Sequence, residues 1–348
     1  MKKNSKKFVV WFIVTSLFLV MVVALLGHLK TPKIHPKFLD NFTVDIKKTS
    51  AGFENSVTSL AYDEKSRHLV IGRESGNIEI WDTTAENSKQ IIPNAHENRV
   101  SQLLFTTDGQ YFFSSSYFRD AVKFWDVRTN TLLYSIPEFL GPVIRTPAED
   151  IYLVADTSAV YFFDAKNKSL ILREFLASGV VDSFAIDEKT NLVAIGTSSG
   201  SIDLFEMLMI DGVPGLKKLG GIKPYRTGEW VIALHFSSDS KSLYSISRSG
   251  QIDEWKIPNF EKMRTLNTKA ESIYEAKFLL DGKFLALVGA FNEEGAPGED
   301  FVEVISPSSG ASVMKKMTTN FANIEYIPPL NQLMAISGRT VIMIDMPK

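Results

Sequence analysis

Three stretches of this chain are near copies of one another: Ser75-Gly-Asn-Ile-Glu-Ile-Trp-Asp82, Ser199-Gly-Ser-Ile-Asp-Leu-Phe-Glu206 and Ser249-Gly-Gln-Ile-Asp-Glu-Trp-Lys256. In each, Ser-Gly makes a tight turn, and the residues after it alternate inward apolar with outward polar, the period of a β-strand. Following the penultimate position along the chain gives Trp81, Trp125, Phe163, Phe205, Trp255, Ile305 and Ile344, spaced 38 to 50 residues apart. Seven units of that length, each holding about four short strands, specify an all-β, seven-bladed β-propeller. A single domain of about three hundred residues follows, because a repeat array escapes the usual limit on domain size.

The second unit carries the fullest pattern. It runs Ala95-His-Glu-Asn-Arg-Val100, Leu104-Phe-Thr-Thr-Asp-Gly109, Tyr111-Phe-Phe-Ser-Ser-Ser116 and Val122-Lys-Phe-Trp-Asp126. This order resembles the WD40 repeat: a Gly-His-like start, a strand, an Asp-Gly turn, a Ser-rich strand and a Trp-Asp end. The resemblance spans roughly residues 42 to 346. It implies a structural tetrad in this unit made of His96, Ser114 or Ser116, Asp120 and Trp125, with Ser116 carried forward as the serine. The other units put Ser or Gly at the corresponding turn, and units three, four, six and seven lack the Trp.

Further apolar runs after each set supply an outer strand: Leu132 to Ile136, Leu170 to Glu174 and Ser312 to Lys316. The seventh set stops at Met346 without one. Phe42-Thr-Val-Asp-Ile-Lys47 lies before the first set and is the spare strand, predicted to pair on the outside of the last blade and close the ring. The propeller then covers residues 42–348.

Phe8 to Leu26 has no charged side chain. That length of helix matches a bilayer core, so residues 8–26 read as a single transmembrane helix, an uncleaved signal anchor preferred over a secretory signal peptide. Lys2, Lys3, Lys6 and Lys7 outweigh Lys30, Lys33 and Lys37, which predicts a cytoplasmic basic tail over residues 1–7 and a propeller on the non-cytoplasmic side. Residues 27–41, with Pro32 and Pro36, read as a tether.

Composition narrows the chemistry. The formal charge is -2, which gives no electrostatic case for nucleic acid, and with no cysteine there is neither a thiolate site nor a disulfide. His28, His35, His68, His96 and His235 show no metal-ligand spacing. No cofactor, metal or catalytic residue is assigned. Asn292, Glu293, Glu294, Glu299 and Asp300, in a long acidic stretch of the sixth unit, are the one conceivable cation loop. Ile210-Asp-Gly-Val-Pro-Gly215 reads as an extended connection.

In WD40-like propellers the b-to-c turns and d-to-a loops gather on one face, which usually binds partners. Here that face collects Arg73, Arg119, Arg248 and Arg339 at turns, Tyr117 and Phe118 beside Arg119, and Arg99, Arg226 and Trp230 in loops. Arginines and aromatics are enriched at binding hot spots, and arginine suits carboxylates. The expected function is a membrane-anchored, non-catalytic scaffold that binds a protein or acidic peptide. The alternative is an extracytoplasmic propeller enzyme, a hydrolase or quinone-dependent oxidoreductase, with its site at the channel mouth. A cluster of carboxylates and histidine at one end of the channel favours the enzyme; an arginine and aromatic rim favours binding.

Overall fold

All seven anchors occupy the same place in seven sheets. The computed structural model describes residues 34–49, 55–116, 120–137, 141–157, 159–175, 179–291, 299–318, 322–338 and 340–347. Among them the strands form seven antiparallel sheets, six with four strands and one with three, every sheet running in chain order from its first strand. In the text below strands are lettered a to d outward from the channel, and blades are numbered along the chain.

Each anchor lies on strand c and pairs with a buried apolar residue of strand b: Trp81 with Leu69, Trp125 with Phe112, Phe163 with Tyr152, Phe205 with Val193, Trp255 with Leu243, Ile305 with Leu285 and Ile344 with Leu333. The anchors then pack across to the neighbouring blade. Trp125 meets Ile78, Ile80 and Ile92 of blade 1, and Trp255 meets Ile202, Leu204 and Ile222 of blade 4. The core is therefore a ring of inter-blade layers, each made by burying the faces of two adjacent sheets.

The three Ser-Gly turns lock these layers. Gly76, Gly200 and Gly250 sit at φ of +79°, +80° and +84°, where a side chain is strained. Their carbonyls accept N–H bonds from the loop leading into the next blade, from His96 at 3.0 Å, Tyr225 at 3.3 Å and Thr268 at 3.1 Å. A Cβ at Gly76 would lie 2.0 Å from the His96 carbonyl oxygen, so no larger residue fits.

The channel wall is tied in the same circular sense. Asn323 donates to Val57 O (2.7 Å), Thr58 to Val100 O (2.7 Å), Gln102 to Val143 O (3.0 Å), Ser183 to Val231 O (2.6 Å) and Lys277 to Ile324 O (2.6 Å). Each link joins the innermost strand of one blade to that of the next.

Closure differs from the sequence expectation. Residues 42–47 are not a strand; they belong to an α-helix, Phe38–Thr49, and among the described residues blade 7 has strands a to c alone, Ala322–Ile327, Gln332–Ser337 and Thr340–Asp345. The apolar residues that decide this are Phe38, Phe42 and Ile46, one helical turn apart and buried, while Val44 stays 49 % exposed. Asp40 in the first turn and Lys47 and Lys48 in the last suit the helix dipole. Phe42 stands edge-on to Trp81 at 5.1 Å and Phe38 stacks on Phe42 at 5.6 Å. At the other interfaces Trp125 and Trp255 meet strand d of the preceding blade. At the interface of blades 7 and 1, Trp81 meets the helix. The helix thus fills the volume of the missing outer strand by side-chain packing.

Blade 4 shows a smaller correction. Ile210 to Gly215 is the tip of a long hairpin between Ile202–Ile210 and Val213–Ile222, turned by Asp211 and Gly212, both at positive φ.

The transmembrane part of the expected fold is also corrected. No helix among the described residues is long and apolar enough to cross a membrane, which takes about 20 apolar residues. The helix that is described has 12 residues and carries four charges, Asp40, Asp45, Lys47 and Lys48. Phe8 to Leu26 and the basic tail lie outside the described residues, as do residues 27–33 of the tether; its last residues, Phe38 to Asn41, are the first turn of the helix.

Candidate functional site

The structure forms the second blade's tetrad with Ser114, not Ser116. His96 Nδ1 lies 2.7 Å from Asp120 Oδ2, His96 Nε2 lies 2.7 Å from Ser114 Oγ, and Trp125 Nε1–H donates to Ser114 Oγ at 2.8 Å. Register explains the choice. Ser114 is two residues from Phe112, the direct partner of Trp125, so it falls on the same face as the indole; Ser116 sits at the strand end opposite Val100. The indole proton occupies one lone pair of Ser114 Oγ, so the hydroxyl points at His96 Nε2 and the imidazole holds its proton on Nδ1, toward Asp120.

This is a serine, histidine and carboxylate in hydrogen-bond order, the connectivity of an acyl-transfer triad. Its environment rules that chemistry out. The His96 side chain is wholly buried and Ser114 is sealed beneath Trp125, leaving no room for a substrate carbonyl. Burial holds the imidazole pKa down, to about 4 against an ordinary 6.5, with the Asp120 carboxylate only partly opposing it. The group is a neutral structural clamp.

Blade 5 carries a second clamp that sequence reading missed. Tyr225 takes the place of the histidine, with its hydroxyl 2.7 Å from Ser245 Oγ, and Trp255 Nε1–H donates to the same oxygen at 2.8 Å. Burial pushes the Tyr225 phenol up, and the nearby Asp253 carboxylate adds to the shift. The sequence signal is a Trp on strand c and a Ser-rich strand b, with a phenol standing where the repeat pattern has an imidazole. Blade 1 has a third version, in which Trp81 Nε1–H donates to Glu79 and Glu79 pairs with Arg73 at 2.8 Å.

Acids two residues before the anchors therefore do not face outward. Glu79, Asp203 and Asp253 are buried. Strand-d lysines account for two of them: Lys218 reaches Asp203 at 2.8 Å and Lys262 reaches Asp253 at 3.0 Å, each also lying over the anchor ring, Phe205 or Trp255.

The candidate docking face is reduced in turn. Arg73 is 2 % exposed and sits inside blade 1, donating also to Asn55 O and Thr49 Oγ1, so it is not a surface residue. Arg99 and Arg226 are exposed, in the loops that lead into blades 2 and 5. Arg248 is exposed and its guanidinium lies 4.8 Å from the centre of the half-buried Trp230 ring, which brings two of the sequence candidates together. Tyr117, Phe118, Arg119 and Arg339 lie outside the described residues, as do Asn292, Glu293, Glu294 and the side chain of Glu299 in the acidic stretch.

Two residues on this arc had no sequence signal. Asp182 and Tyr274 begin the innermost strands of blades 4 and 6. Burial raises the Asp182 carboxyl to about 7, with Arg248 pulling it the other way, and Oδ2 is buried without a hydrogen-bond partner. Burial also raises Tyr274, which feels Asp300, Arg248 and Glu271.

At the opposite mouth, where the a-to-b turns gather, a cavity of about 440 Å³ is lined by Tyr62, Arg145, Lys277, Phe278, Glu325 and Tyr326, among others. Its cations are spoken for. Lys277 lies 2.7 Å from Glu325 and 3.2 Å from Glu275, and Arg145 donates to Phe105 O at 2.9 Å. The cavity lining includes no histidine.

Comparison with known proteins agrees with this geometry. The family described as "WD domain, G-beta repeat" matches residues 46–82 and 87–126. The solved C-terminal WD40 domain of Sif2 superposes with a TM-score of 0.64 at 14 % identity, covering 84 % of this chain and 82 % of that one. The Cps50 (Swd1) β-propeller domain of Myceliophteria thermophila gives 0.65 at 14 %, covering 84 % and 96 %. Residues 46–82 and 87–126 are WD40 repeats, and the fold is that of the WD40 propellers. Human U3 small nucleolar RNA-associated protein 4 homolog is 22 % identical over 58 % of this chain and 30 % of its own length. Pre-mRNA-processing factor 17 of Saccharomyces cerevisiae is 29 % identical over 34 % of this chain and 28 % of its own. SEC12-like protein 2 of Arabidopsis thaliana is 23 % identical over 54 % and 48 %. The chain thus spans under a third of the first two relatives and about half of the third. The expected single-pass, non-cytoplasmic placement is corrected on one finding, that no helix among the described residues is long and apolar enough to cross a membrane; two of these relatives are named for small nucleolar RNA association and pre-mRNA processing.

Two pH dependences follow, with opposite signs. His96 is harder to protonate folded than unfolded, so its contribution is present above 6.5 and is lost as pH falls toward about 4. In urea titrations, His96→Gln is expected to lose about 2 kcal/mol at pH 7 and less near pH 4; a difference independent of pH contradicts the assignment. Asp182 is harder to ionise folded than unfolded, so it destabilises the fold increasingly from pH 3.8 up to about 7. Asp182→Asn is therefore expected to raise the Tm at pH 8 and to leave it nearly unchanged at pH 4; a lowered Tm at pH 8 contradicts it.

Proposed function

We propose that this WD40 propeller is a non-catalytic protein-interaction scaffold whose docking surface is the face bearing the d-to-a loops and b-to-c turns. The observation that carries the reading is the Arg248 and Trp230 pair at the mouth of the channel, an exposed arginine held over an aromatic ring in the part of the fold where seven blades converge. Arginine with tryptophan is the composition of a binding hot spot. Arg99 and Arg226 extend the basic rim outward and suit acidic residues of a docked segment.

The enzyme reading receives less support. Serine, histidine and aspartate come together inside blade 2, where Trp125 seals them. Of the carboxylates that line the cavity, Glu325 is engaged by Lys277 and Asp63 accepts from Ser66 N, and the lining, which also includes Glu64, supplies no histidine to work beside them. The relatives named above, among them a small nucleolar RNA-associated protein, fit a module that works within assemblies.

Partner capture tests the reading. A tagged chain expressed in its native host is crosslinked and its partners are quantified by mass spectrometry for wild type, Arg99→Glu/Arg226→Glu, and Lys166→Glu on the opposite face. The rim variant is expected to reduce capture of the major partner by about tenfold or more, with Lys166→Glu unchanged. Equal capture by the rim variant and wild type contradicts the docking face.

A further inference from the structure

Five of the seven innermost strands slip register by one residue at their loop-side end, between Val57 and Ser59, Val100 and Gln102, Val181 and Ser183, Val231 and Ala233, and Ile273 and Glu275. Each slip leaves one residue unopposed at the mouth of the channel: Thr58, Ser101, Asp182, Ile232 and Tyr274. Two of the polar ones are satisfied within the protein. Thr58 Oγ1 donates to Val100 O at 2.7 Å, and Ser101 Oγ lies 3.1 Å from Ser115 Oγ.

Asp182 is the exception. Its Oδ2 is buried and has no hydrogen-bond partner. The charge that acts on it is Arg248, which lies over Trp230, and no ion pair within 4.0 Å joins the two among the described residues. A half-buried carboxylate with one desolvated oxygen and no donor opposes folding, and a neutral asparagine would oppose it less. Tyr274, at the same bulge position in blade 6, is 37 % exposed and stands in the field of Arg248, Asp300 and Glu271.

Arg248 acts on both Asp182 and Tyr274 and lies over the Trp230 ring, and Tyr274 also feels the carboxylates of Asp300 and Glu271. An anionic group arriving beside Asp182 meets an unpartnered carboxylate oxygen. A cationic one meets a desolvated acceptor and two aromatic faces, the combination that favours ammonium and guanidinium groups.

We propose that Asp182 is the receptor for a cationic side chain of the docked segment, a lysine ammonium or an arginine guanidinium, which enters the loop-side mouth of the channel beside Trp230 and Tyr274. This rests on the scaffold reading and adds to it: the segment bears a basic residue at the centre, over the channel, and acidic residues toward the rim arginines. Docking then supplies the donor that Asp182 lacks in the free protein.

The test uses the full chain and small probes, so it does not depend on capturing the natural partner. The indole N–H resonance of Trp230, assigned with Trp230→Phe, is followed by NMR at pH 8 during titration with N-acetyl-lysine methylamide, N-acetyl-arginine methylamide and N-acetyl-glutamate methylamide. At least one cationic amide is expected to shift the resonance saturably and the glutamate amide is not. Asp182→Asn, which is expected to fold at least as well as wild type, should weaken the cationic amide by about tenfold or more. No shift with either cationic amide, equal binding by Asp182→Asn, or a stronger response to the glutamate amide overturns the proposal. Loss of the rim effect on partner capture, with amide binding intact, would count against the docking face and leave this site standing.

Discussion

A propeller stands or falls on the junction between its last blade and its first. Every other inter-blade layer is formed by neighbours in sequence, but this one must bring together residues more than two hundred and fifty apart, such as Asn323 and Val57. Trp81 is the centre of that junction. At the corresponding layers Trp125 and Trp255 pack against the outer strand of the blade before, and among the described residues blade 7 has none. Phe38, Phe42 and Ile46 of the helix fill the gap, and Asp45 fixes the helix to blade 1 through Lys89 at 2.8 Å. Lys89 in turn lies over the Trp81 ring. Helix, indole and lysine form one packed unit, and closure here is achieved by apolar burial and not by a β-ladder.

The polar chemistry of the blades serves the same end. His96 with Ser114, Tyr225 with Ser245 and Glu79 with Arg73 each tie an anchor tryptophan to the rest of its sheet. Three unlike donor and acceptor sets thus do one job, which is to satisfy an indole N–H that burial would otherwise leave bare. Residues that resemble catalytic groups are consumed in this way. On the proposed docking face the side chains are set by the ends of strands. Asp182, Trp230, Arg248 and Tyr274 come from three blades, and their meeting is a product of the ring.

The blade count and the anchors were legible in the sequence because a period of about forty residues and a strand period of two survive any local substitution. The outer strands beginning at Leu132, Leu170 and Ser312 were legible for the same reason. Helix Phe38–Thr49 was not: Phe42, Val44 and Ile46 satisfy a strand's alternation, and Phe42 and Ile46 equally satisfy a helix, so the volume beside Trp81 decides. The buried acids Glu79, Asp203 and Asp253 were hidden because alternation sees one strand, whereas their partners lie on others. Tyr225 was hidden by chemistry, a phenol standing where the repeat pattern has an imidazole. Asp182 was hidden by register, since a bulge is a property of two paired strands. Arg73 looked like a surface turn residue until Glu79 was placed opposite it.

The helical closure is the claim on which the ring depends, and one pair of variants separates it from the strand alternative. A strand over residues 42–47 would place Phe42 and Val44 on the same face, whereas the helix buries Phe42 and leaves Val44 in solvent. Equilibrium unfolding in guanidinium chloride should be measured for Phe42→Ala and Val44→Ala. The helix account expects Phe42→Ala to lose about 3 to 5 kcal/mol and Val44→Ala to stay within about 0.5 kcal/mol of wild type. Comparable losses for the two variants, or an unaffected Phe42→Ala, would contradict it.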